Sequence, residues 1–431
     1  MHRFTGVVLL MASFDVSAQN LLRVGPGRPF TDIQPALDAA ADGDRILVDA
    51  GAYNAALPQA LVINKGVAIT CAAGTYIQNG VRFAGVQRGQ QAALAGASVT
   101  GGELRGVRTL SAIEVLDCDG VVAVTQCGLY AGATLGAGNR LIYASDPVLR
   151  VHRSTVVLTT IYIHGGYGTP VIDAANSTLH VSYCFGARGS SPFYLDPPSS
   201  TFLYNGAVPP TFRFMDCRVA LADVFVAGGP AMAALYPSGG DGIQATNGEL
   251  QLVRAVVVGG GGFGNSSGPG GNGGNGIVHS SVLLGGPGNG ISGGAAGVGT
   301  PPGTAGRPVL GPGLVSAPVP GIRVIAPVVA PGGRARLEGA VLPGSLLYWG
   351  LSPATDPVAL PGLGGVSLLR FDVPHFAVGP RVIATGVDVL EFLVPLDPQL
   401  RGLTVFAQVA AMDPAGTAAM FSAGAMLAVG F

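Results

Sequence analysis

The feature that most constrains this chain is a strand-turn-strand pattern that returns along residues 113–285 with unequal spacers. An apolar residue opens each unit: Ile113, Leu149, Ile172, Phe212, Ile243 and Ile277, at intervals of 36, 23, 40, 31 and 34 residues. A small or polar turn position follows the first five, occupied by Cys118, Ser154, Ser177, Cys217 and Gly248. A second alternating strand comes next, through Val122/Val124, Val156/Leu158, Leu179/Val181, Val219/Leu221, Leu250/Leu252 and Val282/Leu284. Period-2 alternation leaves each unit an apolar face that only the next unit can cover, so the units stack around one continuous core. The shortest interval, 23 residues, is nearest a bare rung, and the longer ones carry loops at 135–146, 190–210 and 259–276. Fainter coils precede them around 61–69 and 81–102.

Upstream, residues 30–40 place Ile33, Leu37 and Ala40 on one helical face, with Thr31 as N-cap and Gln34 three residues on. Pro35 removes one early backbone bond of that short helix. A turn, a strand and a second turn follow in Gly43-Asp44-Arg45-Ile46-Leu47-Val48-Asp49-Ala50-Gly51-Ala52-Tyr53. A helix followed by G-D-x-I-x-V-x-x-G-x-Y resembles the start of the secreted right-handed parallel β-helices of the pectin-lyase-like superfamily. Ala50 departs from it, standing where the family often has proline. The resemblance implies an all-β fold: a right-handed parallel β-helix, a solenoid, over 19–297, with a short N-terminal capping helix.

Residues 298–320 turn to Pro, Gly and Ala and read as a linker. Beyond them, 321–431 shows strands at 345–350, 366–371, 389–394 and 403–409, which point to a small C-terminal β-sandwich-like module. This tail loosely resembles the C-terminal β modules of large secreted bacterial proteins. Its apolar ending, 423–431, reads as a final core strand.

The first 18 residues run from Met1-His2-Arg3-Phe4 through an apolar stretch to Val16-Ser17-Ala18, the pattern of a secretory signal peptide cleaved after Ala18. A secreted or cell-surface location is expected. No later stretch reaches 18 apolar residues, so no membrane span is expected. With 69 glycines and 32 prolines, turns are frequent and strands short. The net charge of -1 provides no basic footprint for nucleic acid. Lys65 is the single lysine, which codon bias in a GC-rich genome explains.

Five cysteines in an exported chain invite disulfides, yet the count is odd and the rung register opposes them. Cys118 and Cys217 share the turn position three rungs apart, about 14 Å at one strand spacing per rung. Cys127 and Cys184 both match Ile161, two rungs apart and so about 10 Å. Bridged cysteines need Cα atoms within about 7 Å, so all five, Cys71 included, read as small core fillers. No C-x-x-C and no zinc spacing with histidine is present.

The outward position after each anchor forms a row, Glu114, Arg150, Asp173, Arg213 and Gln244, with charges alternating over the first four. In the superfamily the groove along such a sheet often holds polysaccharide, so Glu114, Arg150, His152, Asp173 and Arg213 are candidate carbohydrate-binding residues. The same row equally reads as an inter-rung ion-pair ladder that fixes stacking register. A second row at the turn, Asp117, Arg153, Asn176, Asp216 and Asn247, reads as turn chemistry. His152 and His164 lie near it without a sequence partner to orient them.

The superfamily's enzymes carry motifs that this chain lacks. The N-x-D, paired D-D, G-H-G and R-x-K series of the polygalacturonase type is missing, and His164-Gly165-Gly166 does not replace it. Acids are sparse and alternate with arginines, so a calcium cage is hard to build. The glycine run 259–276 has neither a phosphate-loop lysine nor the Asp of calcium-binding repeats, and reads as a surface insertion of extended or disordered chain. No cofactor or metal is expected. The expected function is therefore a non-catalytic extracellular β-helix protein, structural or carbohydrate-binding, with extracellular polysaccharide as partner. Two alternatives stand beside it: a polysaccharide lyase or glycoside hydrolase with its site at Glu114, Arg150, Asp173 and Arg213, and a self-assembling adhesive or filament subunit.

Overall fold

The computed structural model describes residues 19–54, 59–101, 111–130, 133–136, 140–143, 146–164, 169–188, 208–231, 238–264, 268–360, 363–370 and 375–430, without the side chains of 133–136, 140–143 and 186–188. The expected signal segment 1–18, Gly165-Gly166 and positions 190–207 of the expected loop 190–210 lie outside the described residues. The fold is all-β, dominated by one 22-stranded parallel sheet.

The strands of that sheet stack in three columns. The first runs through Val81–Ala84, Ile113–Leu116, Leu149–His152 and Ile172–Ala175 to the leading halves of Phe212–Ala227 and Ile243–Val253, then Ile277–His279. Ile113, Leu149, Ile172, Phe212, Ile243 and Ile277 pair in register, as the sequence spacing requires, and all are fully buried. The second column carries Val122, Val156, Leu179, Val219 and Leu250 in register. Its last strand corrects the sequence reading: Leu250 pairs with Leu283, not Val282, and Val282 is 56% exposed. The turn there is one residue shorter than in the four preceding rungs and lacks their left-handed corner residue, so the alternation slips by one. The third column includes Gly128–Tyr130, the end of Thr155–His164 and Val256–Val258.

Two corners per rung adopt left-handed backbone. The first is Asp117, Arg153, Asn176, Asp216 and Asn247, with φ between 44° and 58°; the second is Gln126, Thr160, Tyr183, Asp223 and Arg254. Asn and Asp tolerate this region through local hydrogen bonds, which explains the polar turn row. Beside the first corner, the Ser154 hydroxyl accepts from Cys118 N–H at 3.0 Å and the Ser177 hydroxyl from Ser154 N–H at 3.2 Å. All five cysteines are free and buried in the stack. Burial pushes the thiols of Cys127 and Cys184 up to about 12.

The helix forms at Ile33–Ala39 and packs against Leu21–Val24 and Leu61–Ile63, burying Ile33 and Leu37. Its N-cap is Asp32, whose carboxylate accepts from Ile33 N–H at 2.7 Å, one residue beyond the expected Thr31. Pro35 falls in the first turn, where a missing N–H is harmless.

The glycine-rich segments are an ordered bundle. Legs 228–231, 259–264 and 293–299 leave the third column, and legs 238–242, 268–276 and 300–308 return to the first. Outgoing legs bond one another at three-residue steps: Gly228 to Val258 and Ala231 to Gly261, then Gly259 to Ser292 and Gly262 to Ala295, at 2.7–3.0 Å. Returning legs do the same, Gly239 to Asn272 and Gly242 to Asn275, then Gly270, Gly273 and Gly276 to Pro301, Thr304 and Arg307. A zigzag joins the two layers through Gly240 to Gly229, Gly260 to Gly240, Gly274 to Gly260, Gly294 to Gly274 and Gly306 to Gly294, at 2.7–2.9 Å. The three-residue step matches polyproline II winding, and at the closest approaches, as at the axis of collagen, only glycine fits. A Cβ on Gly260 would stand 1.9 Å from the Gly229 carbonyl oxygen. Of the extended or disordered insertion expected at 259–276, the described residues take the extended form, tied into a hydrogen-bonded lattice. Residues 298–320, linker-like in composition, supply its last leg and two short strands, Val309–Leu310 and Val315–Ser316, that pair with the stack.

Beyond the stack, Gly321–Val324, Arg334–Ala340 and Val387–Leu393 form one antiparallel sheet, and Ser345–Ser352, Phe376–Ile383, Thr404–Met412 and Ala425–Val429 belong to another. Both bury a shared core around Trp349, Leu347 and Leu427. This module lies on the outward face of the second column. Leu368, Leu369, Phe406 and Met426 pack on Ala93, Val121, Ala123 and Val157, and Met426 N–H donates to the Thr159 hydroxyl at 2.9 Å.

Candidate functional site

Three outward rows follow from three columns, and each has a different fate. The second-column row is covered by the C-terminal module. The first-column row is charged and the third is aromatic.

The charged row is continuous: Arg82, Glu114, Arg150, Asp173, Arg213 and Gln244 are successive in-register neighbours. Glu114 is 5% exposed, held by Arg82 at 2.6 Å and Arg150 at 3.4 Å. Arg150 also reaches Asp146 at 2.6 Å. Arg213 clamps Asp173 with two hydrogen bonds of 2.8 and 2.6 Å, and this contact raises the guanidinium above its ordinary pKa. Arg82 and Asp146 escaped the sequence reading. Arg82 follows Val81 as Glu114 follows Ile113, but the rung around it has a faint repeat; Asp146 precedes its strand in a loop. His152 does not join the row: its Nδ1 lies 3.4 Å from Asp117, whose carboxyl the Arg153 hydrogen bond holds below the usual range.

Chemically, alternating opposite charges at these distances satisfy one another. Glu114, Asp146 and Asp173 each have a guanidinium partner, so none of these three carboxylates stands as an unpaired base. Among the described residues no group of three or more His, Cys, Asp or Glu side chains is arranged to hold a metal ion.

The third row was not read from the sequence. Tyr76, Ser98, Gly128, Tyr162 and Phe185 are successive in-register positions, and Phe225 lies beside Phe185 with ring centroids 6.4 Å apart. Tyr130 folds its ring back over Gly128, where a Cβ would meet it at 2.9 Å, and stands 6.2 Å from Tyr162. His164 stacks nearly parallel to Tyr162, at 6.5 Å and 8°. A sequence signal existed: these rings sit two residues after the second corner or close to it.

A shallow crevice opens where the module meets the second column, lined by His180, Arg218, Glu249, Gln251, Gly365 and Ser422 among others. His180 Nδ1 accepts from Gly424 N–H at 3.1 Å, and burial lowers the ring's pKa to about 4. Comparison with known protein families, curated proteins and solved structures gives no match to this chain.

Proposed function

We propose that the three-column stack is a right-handed parallel β-helix of the pectin-lyase-like kind, and that the protein works outside the cell as a non-catalytic scaffold that holds polysaccharide. The C-terminal module, read as β-sandwich-like, buttresses one side of the helix. The observation that carries the non-catalytic reading is the mutual neutralisation of Glu114, Asp146 and Asp173 by Arg82, Arg150 and Arg213. A lyase needs a free base beside an open cleft, and a hydrolase needs one carboxyl group as acid and a second as base or nucleophile; acids tied to guanidinium partners on a ladder are poorly placed for either role. The ladder instead fixes rung register, as cross-strand charge pairs do in ordinary sheets.

The test is a screen of purified protein against polygalacturonate, xylan and hydroxyethylcellulose, following unsaturated-product absorbance and new reducing ends, with Arg150→Ala beside the wild type. The expected result is retention on at least one immobilised polymer without turnover. Turnover that disappears in Arg150→Ala would make the ladder an active site and overturn this reading. Absence of both turnover and retention would remove the carbohydrate-holding role.

A further inference from the structure

We propose that the exposed aromatic row of the third column is a stacking platform for a neutral polysaccharide chain laid along the stack. The inference rests on the carbohydrate-holding reading and specifies both the face and the class of sugar. Tyr76, Tyr162 and Phe185 are 55%, 43% and 59% exposed, on a sheet whose first-column row instead carries the Arg82–Glu114–Arg150 and Asp173–Arg213 ion pairs. Large rings turned to solvent on a regular strand column are unusual, since each could have been buried or replaced by Thr or Ser at no loss of β-structure. Stacking brings rings of the row together in pairs: Tyr130 to Tyr162 is 6.2 Å and Phe185 to Phe225 is 6.4 Å, while Tyr76 stands three rungs before Tyr162, about 14 Å at one strand spacing per rung. Gly128 sharpens the geometry, because without its missing Cβ the Tyr130 ring could not lie down into the row.

The chemistry of the row selects its ligand. A pyranose presents C–H groups on its faces and hydroxyls at its rim, so it stacks on an aromatic face while phenol hydroxyls meet the rim. Between the rings stand Ser98 and Gly128, and none of Tyr76, Tyr130, Tyr162, Phe185 or Phe225 carries charge at neutral pH. Apart from His164, stacked on Tyr162, these described side chains offer no cationic group to offset the carboxylates of a uronate chain, and burying those carboxylates without a partner is unfavourable. A neutral chain loses nothing there. The interruption of rings by Ser98 and Gly128 also fits a ligand that is itself half polar, rather than a dry protein interface with a contiguous apolar core.

Affinity electrophoresis of the full chain through gels holding hydroxyethylcellulose, xylan or polygalacturonate tests this directly. The expected outcome is retardation by a neutral polymer, weakened about tenfold or more in the double variant Tyr162→Ala/Phe185→Ala. Tyr162→Phe should keep most of the retardation, and Arg213→Ala all of it. Both truncated side chains are largely exposed, and an unchanged circular dichroism melt verifies that the fold survives. Equal retardation of wild type and double variant overturns the platform. Retardation by polygalacturonate alone, lost in Arg213→Ala, also overturns it while leaving the carbohydrate-holding function in place on the charged row. No retardation by any polymer overturns both.

Discussion

In the strand columns, alternate residues are mostly apolar side chains that reach into the interior; in the glycine bundle, the legs meet backbone to backbone, with Asp241, Asn272 and Asn275 adding side-chain bonds between legs. Yet both regions are extended chain stacked rung upon rung in the same direction, and the bundle legs are continuous with the columns that feed them. The columns are held mainly by removal of apolar surface from water, a non-directional force that tolerates exchange of one hydrocarbon for another. The bundle is held by backbone hydrogen bonds in two directions. Glycine there loses more conformational entropy on ordering than any other residue. What allows the bundle to form is that N–H groups bond every third residue within a layer and again between layers, as buried donors require. The contrast teaches that one solenoid can pass from side-chain to backbone cohesion without a break. It also says how each part should fail.

The largest effect is expected in the columns. Phe212 is fully buried, in register between Ile172 and Ile243, with its ring edge-on to Phe214 at 5.9 Å. Phe212→Ala should lower unfolding free energy by about 3–5 kcal/mol. Chemical denaturation followed by far-ultraviolet circular dichroism reads this, and a loss under about 1 kcal/mol would mean that the rungs do not share one continuous core.

How far the sequence reaches depends on the same contrast. The register of Ile113, Leu149, Ile172, Phe212, Ile243 and Ile277 was legible because burial imposes a pattern of residue types on a fixed period. The charged row was legible for the same reason, one position along. The bundle was not: its three-residue periodicity lives in hydrogen bonds, and with 11 glycines among the 18 residues of 259–276 the run shows little contrast of side chains between inside and outside. The covered face of the second column was readable in principle. Val121, Val122, Ala123 and Val124 abandon alternation, as strands buried on both sides do. The aromatic row was hidden because the third strands are short and follow a corner whose residues vary freely.

A pH experiment separates the two kinds of cohesion. His180 faces the C-terminal module rather than solvent, with Arg218 and Glu249 nearby on the crevice wall. Burial lowers its folded pKa from 6.5 to about 4. The unfolded chain therefore binds the proton more readily between those values, so the stabilising contribution is complete above about pH 6.5 and is lost as pH falls toward 4, on the order of 3 kcal/mol in all. His180→Asn retains an acceptor for Gly424 N–H without this titration. Its melting temperature should fall less than that of the wild type between pH 7 and pH 4, and identical slopes would refute the assignment.

In the bundle the expected loss is smaller and local. A Cβ on Gly274 would stand 2.1 Å from the Gly240 carbonyl oxygen, whereas one on Gly261 meets nothing within 4 Å. Gly274→Ala should destabilise by about 1–3 kcal/mol through overpacking, and Gly261→Ala should be neutral or slightly stabilising. Hydrogen exchange by mass spectrometry should show faster exchange across the legs 238–242, 259–264, 268–276 and 293–308 in the first variant only, with the strand columns unchanged. Equal protection in both variants would show that the legs do not depend on close glycine packing.

The smallest effect belongs to the charged row, where the stack carries ion pairs on its outer surface. Arg213 and Asp173 make a two-bonded pair at 2.6–2.8 Å, but the arginine side chain is 40% exposed, so water screens much of the attraction. Arg213→Met keeps the aliphatic stem against the sheet and should cost no more than about 1 kcal/mol. Salt at about 1 M shortens the screening length to about 3 Å and should erase most of that difference. A larger, salt-insensitive loss would mean that the ladder does more than set register: it would place Asp173 as a desolvated charge that the next rung must neutralise, and would make this face as dependent on its partners as the glycine legs are on theirs.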